Sequence, residues 1–280
     1  MIKNLFLGKR YKKWMMVSLL VVMALVAPGC QSGSQGHEST PEAIALNERG
    51  INFYNEGAYD KAILNFDKAL SLDPSNPEVY FNKGQSLDAM QRFDKAIECY
   101  DKAIQLDANF ADARAYMGIS YSNKGQYDKA IENIDKAIAM NNNNAGYWAY
   151  KGEIYKAQEN YKEAVSCYIK ATALKSDYYD LWDRLAYAQM KSKLYEDVLK
   201  STDKSISLNS AGAFAWGYKA KALHELRRYD EAIVAFDKSL ALDVSNPALW
   251  YSKGLTLETL KRDAEAKKCY DKARALGYQF

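Results

Sequence analysis

The chain has 280 residues, is 48% hydrophobic and 26% charged, and carries 22 tyrosines but only 15 glycines and 5 prolines, which excludes both a disordered segment and a loop-rich disulfide scaffold. Five of its 38 basic residues, Lys3, Lys9, Arg10, Lys12 and Lys13, lie before residue 30, leaving 33 against 35 acidic residues in the rest. A near-neutral body without a basic stripe speaks against nucleic acid as a partner, because that role needs clustered phosphate-neutralising cations.

Residues 1–29 read as a signal peptide: the five cations precede an apolar run from Trp14 to Ala27, broken only by Ser18. A helix of that length reaches roughly 21 Å, short of the roughly 30 Å hydrocarbon core, so the run suits a secretory leader better than a permanent span. With small Ala27 and Gly29 ahead of Cys30, the junction resembles the lipobox of bacterial lipoproteins, although Pro28 and the lack of a Leu three residues before the cysteine depart from its usual form. The resemblance implies a Cys30 thiol carrying a diacylglycerol, palmitate incorporation, and an exported protein anchored to the cell membrane or outer membrane. Ordinary cleavage giving a secreted protein, and an uncleaved N-terminal signal-anchor, stay open as alternatives. Residues 30–42 read as a flexible tether, polar and small through Gln31-Ser32-Gly33-Ser34-Gln35-Gly36. From Gln31 to Pro41 it extends at most about 36 Å, at about 3.3 Å per residue, and keeps the folded region near the membrane.

Thr40-Pro41-Glu42 is a helix start: a capping hydroxyl, a proline at the first helical position and an acid in the first turn. Beyond it an aromatic recurs every 34 residues, at Tyr59, Phe93, Tyr127, Tyr161, Tyr195 and Tyr229. Residues 43–280 divide without insertion into seven repeats, 43–76, 77–110, 111–144, 145–178, 179–212, 213–246 and 247–280. The eighth position of each is small (Gly50, Gly84, Gly118, Gly152, Ala186, Ala220, Gly254), as is the twentieth (Ala62 and its equivalents, with Val198 in the fifth repeat). The twenty-fourth position supplies bulk through Phe66, Tyr100, Ile134, Tyr168, Phe236 and Tyr270.

Apolar spacings of three and four in each half predict two antiparallel helices per repeat, broken at Gly57 and Gly125 and their equivalents. Asp60, Asp94, Asp128 and Asp230 enter the second helix at its positive end. Turns such as Asp73-Pro74-Ser75-Asn76-Pro77 join the repeats, and the run Asn141–Asn144 occupies the same junction. The fifth repeat departs most, with Val198, Thr202 and Ser205, which predicts either compensated packing or a softer joint. In the seventh, Asp263, Lys267 and Arg274 replace apolar residues, which predicts that the last helix serves as a polar cap and that the domain ends at Phe280.

Across 43–280 this pattern resembles the tetratricopeptide repeat (TPR) family, most fully in Trp148, Lys151, Gly152 and Tyr155 with Ala164, Tyr168 and Ala171, and in Pro74 at the repeat end. The resemblance implies an all-α, right-handed superhelical solenoid whose concave groove, lined by the first helices, holds a protein or peptide segment. Family members bind through positions 2, 5, 9, 12 and 13 of the first helix. In this chain those positions include Tyr54, Phe81, Gln85, Tyr187 and Met190, and further along Phe214, Lys221, His224 and Tyr251. Tyr54, Phe81, Tyr187, Phe214 and Tyr251 are expected to be exposed aromatics that anchor the partner, although any single one also packs on neighbouring helices. Chaperone-binding members hold a terminal carboxylate with lysines at positions 2 and 5; no lysine stands there, which disfavours that role.

The residues offer no catalytic constellation. Cys99, Cys167 and Cys269 occupy one site in different repeats, too far apart for disulfides. Only His37 and His224 are present, so neither a metal site nor a cofactor is expected, and Asp180 and Asp183 read as solvated helix-surface acids. The expected function is a non-enzymatic, membrane-tethered envelope scaffold or adaptor, of the kind seen in pilotin-like lipoproteins and adaptors of cell-wall enzymes. The alternatives are a glycan-processing enzyme or its non-catalytic arm, and a self-associating structural module.

Overall fold

The computed structural model describes residues 39–280, so the leader, Cys30, His37 and most of the tether lie outside the described residues. The described residues are all-α, with fourteen helices and short turns between them. They fall into two compact units, one reaching to Ile154 and one formed by Tyr155–Phe280.

The first unit holds α1 (Pro41–Asn55), α2 (Tyr59–Leu72), α3 (Pro77–Ala89), α4 (Phe93–Leu106), α5 (Ala111–Asn123), α6 (Tyr127–Met140) and α7 (Ala145–Ala157) as far as Ile154. Thr40 Oγ1 accepts from Ala43 N at 3.2 Å, so α1 begins at Pro41, inside the stretch assigned to the tether. Helices pack as α1/α2, α3/α4 and α5/α6, and first helices also touch each other, α1 with α3 and α3 with α5. The first helices therefore form one layer of the unit.

The second unit holds the end of α7, α8 (Tyr161–Leu174), α9 (Tyr179–Lys191), α10 (Tyr195–Leu208), α11 (Ala213–Glu225), α12 (Tyr229–Leu242), α13 (Pro247–Thr259) and α14 (Asp263–Ala275). The pairs are α9/α10, α11/α12 and α13/α14, with α9 touching α11 and α11 touching α13.

Close approach of paired helices follows from the small eighth residue. A Cβ on Gly84 would meet Tyr100 at 2.5 Å and one on Gly254 would meet Tyr270 at 2.5 Å, both under any normal contact. Phe66, Tyr100, Ile134, Tyr168 and Phe236 are fully buried there, and Ala62, Ala96, Ala130, Ala164, Val198 and Ala232 are buried beside them. The fifth repeat, which lacks the bulky residue, satisfies its polar replacements internally. Thr202 Oγ1 donates to the Val198 carbonyl at 2.8 Å, and Ser201 Oγ donates to Gln189 Oε1 at 2.7 Å. A cleft of about 430 Å³ lined by Ile169, Trp182, Leu185, Gln189 and Ser201 opens at that repeat.

Each helix hairpin turns through a left-handed residue at one fixed position: Gly57, Gln91, Gly125, Glu159, Lys193, Arg227 and Lys261, with φ between 59° and 75°. The next amide then bonds back five residues, as in Ala58 N to Phe53 O and Arg228 N to Leu223 O, both 2.8 Å, closing a Schellman cap. Only two of the seven carry glycine, so the turn is imposed by the hairpin in the other five.

Junctions between repeats are fixed by side chains. Asp73, Asp107, Asn141, Asn209 and Asp243 each accept from the amide two residues on, so Asn141–Asn144 is a turn as expected. Asn76 and Asn246 then cap α3 and α13, whose first residues are prolines. Trp148, Trp182, Trp216 and Trp250 fasten the same turns, each indole N–H donating to the carbonyl six residues earlier at 2.9–3.3 Å.

Candidate functional site

In the first unit, Tyr54 of α1, Phe81, Gln85 and Asp88 of α3, and Tyr116 and Ser120 of α5 gather along the first-helix layer. Phe81 packs against Phe110 and Tyr116 with ring centroids 5.1 Å away in both cases, the second edge-on. Gln85 hydrogen-bonds the Tyr116 phenol, whose pKa burial pushes up to about 12. Burial likewise raises the Tyr54 phenol.

Asp88 is the polar centre of this face. Tyr100 Oη donates to Asp88 Oδ2 at 2.8 Å, and Ser120 Oγ lies 2.7 Å from Oδ1. Burial pushes the Asp88 carboxyl up to about 7, against the opposing pull of those two hydrogen bonds.

In the second unit, aromatic rings run through the first-helix layer. Tyr187 of α9 meets Tyr161 edge-on at 6.1 Å and Tyr218 of α11 at 6.0 Å, and Tyr218 meets Phe214 at 4.8 Å. Ammonium groups lie over these rings: Lys156 at 5.9 Å and Lys191 at 5.8 Å over Tyr187, and Lys221 at 5.9 Å over Tyr218. Burial, and then repulsion from Lys191, lower the pKa of Lys221.

The other expected residues are placed separately. Met190 packs half-buried against Ala186, Val198 and Ala222. His224 Nδ1 lies 3.0 Å from Thr256 Oγ1, with Tyr229 edge-on at 5.5 Å. Tyr251 is covered by the chain itself, its ring centroid 4.9 Å from that of Tyr278 and 4.7 Å from that of Phe280.

Two expectations are corrected. Of the five aromatics expected to be exposed, only Phe214 is, at 46%; Tyr54, Phe81, Tyr187 and Tyr251 are half-buried because neighbouring rings pack on them. Asp180 and Asp183 are not free surface acids. Asp180 pairs with buried Arg184 at 2.5 Å, and Asp183 accepts from Ser205 Oγ at 2.6 Å with its pKa pushed up to about 6 by burial. The cysteines Cys99, Cys167 and Cys269 are buried and unbridged, as the 34-residue spacing requires.

Sequence reasoning missed Tyr116 and Tyr218, because they stand at the sixth position of the first helix, outside the positions considered. It also missed an ion-pair series. Lys83, Lys151, Lys219 and Lys253, all at position 7, reach Asp67, Asp135, Asp203 and Asp237 of the preceding helix at 2.5–2.6 Å. The recurrence of Lys and Asp at that spacing was its legible signal. Among the described residues no group of three or more His, Cys, Asp or Glu is arranged to hold a metal ion.

Family models for tetratricopeptide repeats match residues 50–90, 77–110, 99–132, 117–179 and 218–278, together well over half of the chain. No curated protein matches the sequence. Among solved structures, YrrB, described as a TPR protein with an unusual peptide-binding site, is 23% identical with a TM-score of 0.58, over 65% of this chain and 93% of that one. A tetratricopeptide repeat protein from Parabacteroides merdae is 16% identical with a TM-score of 0.60, over 86% of this chain and 95% of that one. PilF of Pseudomonas aeruginosa is 19% identical with a TM-score of 0.61, over 73% of this chain and 93% of that one. At these identities the likeness is one of fold, and it agrees with the helix hairpins, the glycine–aromatic contacts and the matched repeats: the chain belongs to the tetratricopeptide repeat family.

Proposed function

We propose that the protein is a membrane-tethered adaptor of the cell envelope that holds a partner protein by a peptide segment laid against its first-helix layer. The observation that carries this reading is the ring series Tyr161–Tyr187–Tyr218–Phe214, which ends in an exposed phenylalanine. Rigid aromatics with polar tips supply large contact area at little entropic cost, which is how a groove anchors a helix or an extended chain. In the first unit Tyr54, Phe81 and Gln85 offer a smaller companion surface. The description of YrrB as a peptide-binding TPR protein supports a peptide as the ligand class.

The tether rests on Cys30 and the leader before it. No helix among the described residues is long and apolar enough to cross a membrane. The anchor proposed is a lipid on the Cys30 thiol. Palmitate labelling of the wild type against Cys30→Ala tests this: label and membrane retention should vanish together in the variant. Replacing Phe81, Tyr187 and Phe214 by Ala should abolish capture of partners from a solubilised envelope with helicity kept, and undiminished capture would sink the groove reading.

A further inference from the structure

We infer that two copies of the protein stack head to tail, α1 of one copy lying on α14 of the other with Arg49 against Asp271. The inference does not use the first-helix groove, and it commits to a second copy of this chain as the partner.

Junctions inside each unit define how a first helix sits on the repeat before it. The third residue shares an apolar cluster with the preceding twenty-eighth, Val79 with Leu70 and Leu249 with Leu240. The sixth meets the preceding twenty-fourth, the rings of Tyr116 and Tyr100 being 6.1 Å apart. The seventh, a lysine, pairs with the preceding twenty-fifth, an aspartate, in Lys83–Asp67, Lys151–Asp135, Lys219–Asp203 and Lys253–Asp237, all at 2.5–2.6 Å.

Helices α1 and α14 hold the two separated halves of such a junction. Arg49 is the seventh residue of the first repeat and Asp271 the twenty-fifth of the last, so the cation and the acid of the series are both present and both exposed. Among the described residues no carboxylate pairs with Arg49, while Asp271 has an exposed contact with Arg274 at 3.3 Å. Burial shows the same gap. Ala45 is exposed, although the third residue is buried in all six later repeats, and Tyr270 is half-buried where Phe66, Tyr100, Ile134, Tyr168 and Phe236 are fully buried. Beside Tyr270 a cleft of about 330 Å³, lined also by Glu258, Lys267 and Arg274, opens where a following first helix would lie. Phe280 packs on Tyr251 at 4.7 Å as Phe110 packs on Phe81 at 5.1 Å, so the last repeat is finished like an internal one. Tyr278 shares the Tyr251 ring at 4.9 Å and leaves Lys267, Asp271 and Arg274 exposed.

The remaining charges fit that register. Asn52 falls opposite Glu258 as Ser120 does opposite Asp88, and its amide can donate to the carboxylate. Phe53 and Leu46 fall against the Lys267 stem, in the places that Leu257 and Trp250 take against Ile233. Glu56 falls one turn from Lys267, since its counterpart Lys124 reaches Asp94 of the preceding repeat. Glu48 falls beside Tyr270 and Arg274, and Asp263 falls opposite Ile51 by the relation of Tyr161 to Tyr187. Each exposed pair is weak alone, so the pattern fixes orientation more than affinity, and the apolar contacts supply the rest. Because the two faces differ, the contact is heterologous and leaves a free α1 and a free α14 for further copies.

Sedimentation velocity of the full chain in detergent, across a wide range of concentration, tests this. The protein mass per particle should rise with concentration. Arg49→Glu and Asp271→Lys, each placing like charges at the junction, should each weaken association about tenfold. An equimolar mixture of the two variants should recover the wild-type behaviour, because each then offers the end that the other requires, and the double variant should recover it alone. Circular dichroism checks that all three stay folded. One chain per particle at every concentration overturns the inference, and is the result expected if a foreign helix covers α14. Association that survives both single reversals also overturns it, as sharing of micelles through the anchor would do, and so does a mixture that stays dissociated. None of these outcomes touches the groove reading, which Phe214-dependent capture decides separately.

Discussion

Gly84 faces Tyr100 so closely that a β-carbon on Gly84 would stand 2.5 Å from Tyr100 Cε1. Tyr100 is fully buried and its hydroxyl is held by Asp88, so the ring cannot withdraw without breaking that hydrogen bond. Gly84→Ala is therefore expected to destabilise the first unit by about 1–3 kcal/mol, the usual cost of overpacking a filled core. Urea unfolding followed by circular dichroism checks this, and an unchanged midpoint would show that α3 and α4 can separate freely.

Asp88 makes the stability of the first unit depend on pH. Burial holds its carboxyl up at about 7 in the folded protein, above the usual carboxylate range. Between roughly pH 4 and pH 7 the folded state keeps a proton that the unfolded chain has released, so this contribution is full below the unfolded pKa and is lost as pH rises through the folded one. Asp88→Asn should be more stable than the wild type at about pH 8, by an amount on the order of 2 kcal/mol, and should show no gain at about pH 4. Asp183 titrates with the same sign in the second unit, so hydrogen exchange of α3 and α5 amides is the proper readout.

The left-handed turn residues separate by side chain. Arg227 has φ 61° and is exposed, so Arg227→Gly should stabilise its hairpin by about 1 kcal/mol through relief of the Cβ penalty. Gly125, with φ 74°, should behave oppositely, Gly125→Ala costing about 1 kcal/mol although nothing crowds its Cβ position. Thermal unfolding midpoints moving in opposite directions confirm the assignment.

Phe280 and Tyr278 lie on Tyr251, and Arg274 stacks over Phe280 at 4.8 Å. Removing this cover by Phe280→Ala should cost about 1 kcal/mol locally, since Phe280 is only partly buried. Faster hydrogen exchange confined to α13 and α14 is the expected signature. Unaltered exchange would mean that the segment 277–280 adds nothing to the last repeat.

The repeat period, the helix hairpins, the cap at Thr40, the junction turn at Asp73–Pro77 and the small-against-bulky contacts were all legible in the sequence. They depend on neighbours along one or two helices: alternating apolar spacings, a capping side chain beside its amides, and a glycine sixteen residues before the ring it admits. Asp263, Lys267 and Arg274 are exposed, matching the polar last helix read from the sequence. The lipidation of Cys30 lies outside the described residues and stays with the proposal.

The candidate site was legible only as a set of positions. Tyr187 was named, but Tyr218 and the ammonium groups above both rings were not joined to it, because their meeting depends on how α9 packs on α11. Asp180 and Asp183 look like surface acids in the chain, yet Arg184 and Ser205 take them up after folding. Five of the seven left-handed turns carry no glycine, and Tyr251 is covered by residues at the far side of α14. The sequence by itself determined the helical repeat, since period, capping and side-chain size act locally and recur. Tertiary structure alone decided which side chains stay open to a partner, because burial and charge pairing arise from contacts between helices that the chain brings together only on folding.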